Sequence, residues 1–211
     1  MRLAMDNCCC DLELCVLQEN NHDVPNLLRR NIQYELDAME NTDRVLMAFA
    51  TCGGSMVGLR TGEFELVIPR VDDCLSLLLG SMERRKDVLE GGFGMFVTKS
   101  WMDHDQNIGV ELERIRAKYP PARAEKVIEI MYGNFDSLNV IDTGAYDVHT
   151  ILPRSQIIAQ QLGLKHRIVQ GTLTYLEALL QGPWNSDQFI VIPPLSTVRD
   201  EDVLLGSLSK R

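Results

Sequence analysis

Hydrophobic positions along the chain recur at two alternating periods. Leu28, Ile32, Leu36 and Met39, spaced by four, four and three residues, share one face of a helix expected from about Pro25 to Glu40, with proline tolerated in its first turn. The run Arg44 to Ala50 reads as a strand, the Gly-rich Cys52 to Gly58 as a turn, and the β-branched run Glu65 to Ile68 as a second strand. Leu75, Leu78, Leu79 and Met82 then trace a helical stripe opened by Asp72 or Asp73, and Glu83 to Leu89 forms a second short helix. A third strand is expected at Met95 to Thr98, followed by helices at about Val110 to Lys118 and Ala122 to Met131 separated by Pro120 and Pro121. Leu138 to Ile141 is the next strand. A helix near Ser155 to Leu162 ends at Gly163, a strand covers Arg167 to Gln170, a helix near Leu173 to Leu180 stops before Gly182 and Pro183, and Phe189 to Ile192 is the last strand.

This alternation predicts an α/β fold: a single Rossmann-like domain with a mostly parallel sheet flanked by helices. The domain would span 25–196, preceded by a separate N-terminal segment over 1–24 and followed by a C-terminal arm over 197–211. A length of 211 residues with 45% hydrophobic and 24% charged side chains suits one globular domain and excludes wholesale disorder, collagen and coiled coil.

Thirty acidic against 21 basic side chains leave a formal charge of −9, so a phosphate-neutralising surface for nucleic acid is not expected. No apolar run approaches the roughly 18–20 residues of a membrane span, and Met1 to Asp11 lacks a signal-peptide core, so neither a membrane nor export is expected and the location reads as cytoplasmic. Four of the six cysteines crowd into Cys8, Cys9, Cys10 and Cys15, unlike the spaced framework of a secreted domain. They read as reduced thiols in a packed strand or at an exposed, redox-sensitive end.

In open parallel sheets, ligands bind beyond the carboxyl ends of the strands. The segments at those ends are Thr51-Cys52-Gly53-Gly54, Pro69-Arg70-Val71-Asp72-Asp73-Cys74, Trp101-Met102-Asp103-His104 and Asp142-Thr143-Gly144. If the strands are parallel neighbours, Cys52, Asp73, Cys74, His104 and Asp142 line one crevice. Cys74 would sit in the first turn of a helix, where a thiolate is favoured and Arg70 adds to the effect, while Asp72 and Asp73 oppose it unless a cation is shared. The opposing reading makes Asp72 or Asp73 an N-cap and Cys74 a small buried hydrophobe.

Cys52 and Cys74 could supply two soft ligands to a divalent metal such as zinc, with Asp73 or His104 as a third and an open position for substrate. No Cys-x-x-Cys or His-Glu-x-x-His accompanies them. Gly53 and Gly54 would let a ligand approach the backbone, but the spacing matches no phosphate-binding loop, and Ser55 and Ser81 lie in no nucleophile elbow. His104 and Asp142 are candidate proton-transfer groups, with a solvated acidic loop as the alternative for His104.

Two segments, Ala50-Thr51-Cys52-Gly53-Gly54-Ser55-Met56-Val57-Gly58-Leu59 and Leu66-Val67-Ile68-Pro69-Arg70-Val71-Asp72-Asp73-Cys74-Leu75 continuing to Leu79-Gly80-Ser81, resemble the family called domain of unknown function 1638. Lys99-Ser100-Trp101, Ile141-Asp142-Thr143-Gly144 and Phe189 to Pro194 extend the resemblance over about Pro25 to Pro194. The family often has His where Asp72 stands, which leaves no imidazole at that position here. The resemblance implies a place in corrinoid-dependent methyl transfer from methylamines or betaines, with the corrinoid supplied only through a partner. The leading expectation is therefore a metal- or thiol-dependent protein acting on a small-molecule ligand around Cys52 and Cys74. The alternatives are a non-catalytic accessory protein docking on a corrinoid protein or methyltransferase, and a nucleotide- or S-adenosylmethionine-binding enzyme using Gly53, Gly54 and Asp142.

Overall fold

A computed structural model of the chain describes residues 1–17 and 24–203. In chain order its elements are α1 (Arg2–Cys8), α2 (Pro25–Asp37), β1 (Arg44–Leu46), a 3-10 turn at Cys52–Gly54, β2 (Glu65–Pro69), α3 (Cys74–Leu79), α4 (Met82–Leu89), β3 (Gly94–Val97), α5 (Lys99–Met102), α6 (Ile108–Lys118), α7 (Pro121–Tyr132), β4 (Ser137–Asp142), a 3-10 turn at Val148–Thr150, α8 (Leu152–Leu162), β5 (Lys165–Gln170), α9 (Thr174–Gln181), β6 (Phe189–Ile192) and α10 (Asp200–Val203). The class is mixed α/β. Two three-stranded sheets, β1-β2-β6 and β3-β4-β5, stand where the alternation of segments suggests one. Periodicity marks strands; it does not choose their partners.

The chain divides into two compact units, one made of Met1–Met82 with the segment beginning at Leu173, the other of Glu83–Thr172. In the first unit, β1 runs parallel to β2 with Leu46 opposite Val67, and β2 runs antiparallel to β6 with Ile68 opposite Ile190. Side chains alternate between the faces of a strand, so Leu66, Ile68, Ile190 and Ile192 pack with Leu28, Ile32 and Leu36 of α2, while Val67 and Phe189 join Leu77, Tyr175 and Leu179 on the other side. The stripe read at Leu28, Ile32 and Leu36 is thus the buried face of α2.

The expected N-terminal segment 1–24 contains α1, which buries Ala4 against Leu173 and Leu176. Cys8 closes this helix and Cys9 follows in the left-handed region at φ 51°, so these cysteines lie at a helix end and not in a strand. The described part of the C-terminal arm is anchored: Thr197 bridges Arg60, and Val198 exchanges hydrogen bonds with Gly58 and Leu59 at 2.8 Å each and is buried in the core. The remainder of the expected arm, 204–211, lies outside the described residues.

In the second unit all three strands are parallel, with β4 in the centre and buried from Ser137 to Ile141. Parallel neighbours need crossovers, supplied here by α5, α6 and α7 between β3 and β4 and by α8 between β4 and β5. Leu138 and Val140 pack with Leu112, Ile115, Ala124, Ile128 and Ile158 from those helices. Helices begin slightly ahead of the apolar periodicity because of their caps: the Asn107 side chain accepts from Val110 N, so α6 opens at Ile108. Among the described residues, no helix is long and apolar enough to cross a membrane.

Candidate functional site

The backbone around Cys52 and Cys74 continues the pairing of β1 and β2 beyond their last ladder residues. Met47 N donates to Val67 O at 2.9 Å, Thr51 N to Val71 O at 3.0 Å, and Cys52 N to Asp72 O at 3.1 Å. The two loops leaving the carboxyl ends of these parallel strands are therefore held side by side, and Cys52 is tied to the residue two places before Cys74. Cys52 sits at φ 40°, in the left-handed region that side chains rarely adopt, and opens the 3-10 turn. Such strain in a non-glycine residue is retained only where surrounding contacts hold it, and here the Asp72 carbonyl and the half-buried thiol do so.

Cys74 is the first residue of α3, and Asp73 caps that helix by accepting from Ser76 N at 2.9 Å. Ser76 is fully buried; its hydroxyl lies 3.0 Å from Asp72 Oδ1 and 3.1 Å from Asp73 Oδ1, and it donates to one carboxylate at a time. This short network sets the turn that presents Cys74. The Asp-Asp-x-x-Ser spacing is its sequence signal, and sequence reasoning used only the aspartates.

The two thiols differ in environment. Cys74 is exposed, whereas Cys52 is half-buried against the apolar clusters of the first unit. Burial pushes the Cys52 thiol up to about 11, and the proximity of Cys74 and then Asp73 adds to the rise. Cys52 is thus protonated at neutral pH.

These groups do not fit a zinc centre as they stand. Zinc takes thiolates, with at least three protein ligands even in catalytic sites. One oxygen of Asp72 and one of Asp73 serve the Ser76 turn, and among the described residues no three His, Cys, Asp or Glu side chains are grouped to hold a metal ion.

Arg70 also serves the fold. Its Nε donates to Ser186 O at 2.8 Å and its Nη1 to Asp202 O at 3.0 Å, so the guanidinium ties down the chain around β6 and α10. Gly54 is needed for its φ of 80°; a Cβ there would meet nothing within 4 Å, so nothing packed against it demands glycine. Gly53 shares the 3-10 turn.

His104 and Asp142 belong to the second unit and hold local turns. His104 Nδ1 accepts from Gln106 N at 3.1 Å, and its ring centroid lies 6.1 Å from that of Trp101. Asp142 Oδ1 accepts from Gly144 N at 3.0 Å, an Asx turn, while its carbonyl accepts from Gly171 N at 2.7 Å at the carboxyl end of the parallel sheet. Nearby, Asp103 is bridged by Arg154 and Lys99, whose hydrogen bonds, Arg154 first, hold its carboxyl below the usual range. Sequence reasoning passed over this ion cluster, since Arg154 is remote in sequence. It also passed over an open cleft of about 300 Å³ between α4 and β5, where Arg167 approaches Glu90 at 3.7 Å.

Comparison with known proteins adds one finding. The model of the family described as "Protein of unknown function (DUF1638)" matches residues 16–180, a span that includes Cys52, Asp73, Cys74, His104 and Asp142. No curated protein and no solved structure matches the chain. With most of its length matched by that one family model, the chain belongs to the DUF1638 family.

Proposed function

We propose that this protein is a thiol-dependent protein of corrinoid and methyl-group metabolism, of the methylamine or betaine type, that binds a small-molecule ligand where the loops after β1 and β2 meet. Cys74 is the reactive group and Cys52 its buried neighbour. The observation that carries the reading is the convergence of an exposed and a half-buried thiol on two loops joined by the Cys52 N to Asp72 O hydrogen bond of 3.1 Å. Reactive cysteines are accessible, whereas structural ones are buried and inert. The metabolic assignment comes from the resemblance of the two motif segments, and the chemistry from the site. The Rossmann-like character of the fold belongs to the same reading and rests on the parallel strand–helix–strand build of Glu83–Thr172.

Iodoacetamide labelling of the folded, anaerobic protein, followed by peptide mass spectrometry, tests this. Cys74 should react well before Cys52, and one of methylcobalamin, trimethylamine or glycine betaine should slow the labelling of Cys74. An unreactive Cys74, or labelling that none of the three slows, would overturn the reading.

A further inference from the structure

We propose that Cys74 and Cys52 act as a thiol–disulfide exchange pair toward low-molecular-weight disulfides, with Cys74 as the attacking thiol and Cys52 as the resolving thiol. The inference rests on the thiol reading given above and adds to it a substrate class and an order of events.

The geometry assigns the roles. Exchange proceeds by attack of a thiolate on a disulfide sulfur through a mixed disulfide, so the first thiol must be reachable by an external reagent. Cys74, exposed on the first residue of α3, meets that need; Cys52, half-buried, does not. The second thiol must reach the mixed disulfide without large backbone motion, because a disulfide joins residues whose Cα atoms are about 4.4–6.8 Å apart. The paired loops bring the two cysteines toward each other, since Thr51 N and Cys52 N bond to Val71 O and Asp72 O at 3.0 and 3.1 Å, holding Cys52 beside the segment that enters α3. Protonation of Cys52 agrees with this order: with a pKa of about 11 it is a poor first nucleophile and acts once a disulfide is placed against it.

The chemistry balances with a disulfide RSSR as the named oxidant. The Cys74 thiolate attacks one sulfur, forming a Cys74–SR bond and expelling RS⁻. Cys52 then loses its proton to the expelled thiolate, and its sulfur attacks the Cys74 sulfur, forming the Cys52–Cys74 bond and expelling the second RS⁻, which takes up the proton from Cys74. In sum, two protein thiols are oxidised by two electrons to one disulfide, and RSSR is reduced to two RSH.

The test uses the full chain carrying Cys8→Ser, Cys9→Ser, Cys10→Ser and Cys15→Ser, with folding checked by circular dichroism, and in parallel the wild-type chain read by peptide mapping. Each is treated anaerobically with oxidised glutathione, quenched with N-ethylmaleimide under denaturing conditions and weighed intact. Both should lose the Cys52 and Cys74 thiols together, retain no glutathione at either and yield a linked Cys52–Cys74 peptide. Adding Cys52→Ser should trap one glutathione on Cys74, and adding Cys74→Ser should slow the loss of the remaining thiol by about tenfold or more, as expected for a protonated thiol. A stable glutathione adduct on Cys74 beside an unmodified Cys52 thiol overturns the pair and leaves the thiol reading of Cys74 intact. A Cys74 inert to both glutathione disulfide and iodoacetamide overturns both. The wild-type arm decides the matter if the quadruple variant does not fold.

Discussion

The amide of Cys52 donates to the carbonyl of Asp72 at 3.1 Å, beyond the end of the β1–β2 ladder, and so brings two cysteines 22 positions apart in sequence onto neighbouring loops. Each strand alone leaves its following loop undirected. The parallel pairing directs both to one side.

One consequence concerns the ionisation of Cys52. Burial is the largest cause of its rise from 9.0 to about 11, and Cys74 is the next. In the Cys74→Ser variant, the midpoint of Cys52 alkylation against pH should therefore fall below that of the wild type yet stay above 9.0, because burial remains. An unchanged midpoint would show that the two thiols do not interact.

The turn that presents Cys74 depends on Asp73. Replacing this cap by alanine removes the acceptor for Ser76 N and should destabilise the protein by about 0.5–2 kcal/mol in urea denaturation. Asp73→Asn keeps an acceptor at the same place and should recover most of that loss. Equal effects of the two substitutions would assign the role to charge and not to capping.

Packing against the central strand β4 leaves little space beside Gly94, the first residue of the edge strand β3. A Cβ there would lie 2.5 Å from Asn139 Nδ2 and 2.6 Å from Leu89 Cδ2, and Asn139 is fully buried and held by Met95 O and Ser137 Oγ. Gly94→Ala should cost about 1–3 kcal/mol through overpacking, with a lower urea midpoint at an unchanged slope. A neutral result would mean that Asn139 readily moves aside.

His166 provides a pH dependence. Its Nε2 lies 2.9 Å from the hydroxyl of the buried Ser155, and burial lowers its pKa below the usual 6.5. The folded state then binds this proton less readily than the unfolded chain, so stability is full above 6.5 and falls as pH drops from there through the lowered value. His166→Gln should flatten this part of the stability curve below pH 6.5, measured by urea midpoints against pH. A slope identical to that of the wild type would place the acid sensitivity elsewhere.

The physical reasons why some features were readable in the sequence and others were not differ by element. The helices over Pro25–Asp37 and Pro121–Tyr132 and the strands over Glu65–Pro69 and Phe189–Ile192 were legible because each buries one periodic face or one apolar run. The expected strand from Arg44 to Ala50 shortened to Arg44–Leu46, since periodicity carries no information on where a neighbouring strand stops pairing. α1 escaped notice because a helix of seven residues that buries only Ala4 has hardly any face to show. The roles of Arg70 and Arg154 were equally hidden: their acceptors, Ser186, Asp202 and Asp103, are from 51 to 132 residues away.

By itself, then, the sequence determined the α/β class, the order of most elements and the identity of Cys52, Asp73 and Cys74 as residues following β1 and β2, all of which depend on local periodicity and local turn chemistry. Tertiary structure alone decided that the six strands of the described residues form two sheets, that His104 and Asp142 belong to a different unit from Cys52 and Cys74, and that Cys52 is half-buried while Cys74 is exposed. Strand partnership and burial are set by contacts between segments distant in the chain, and no local pattern encodes them.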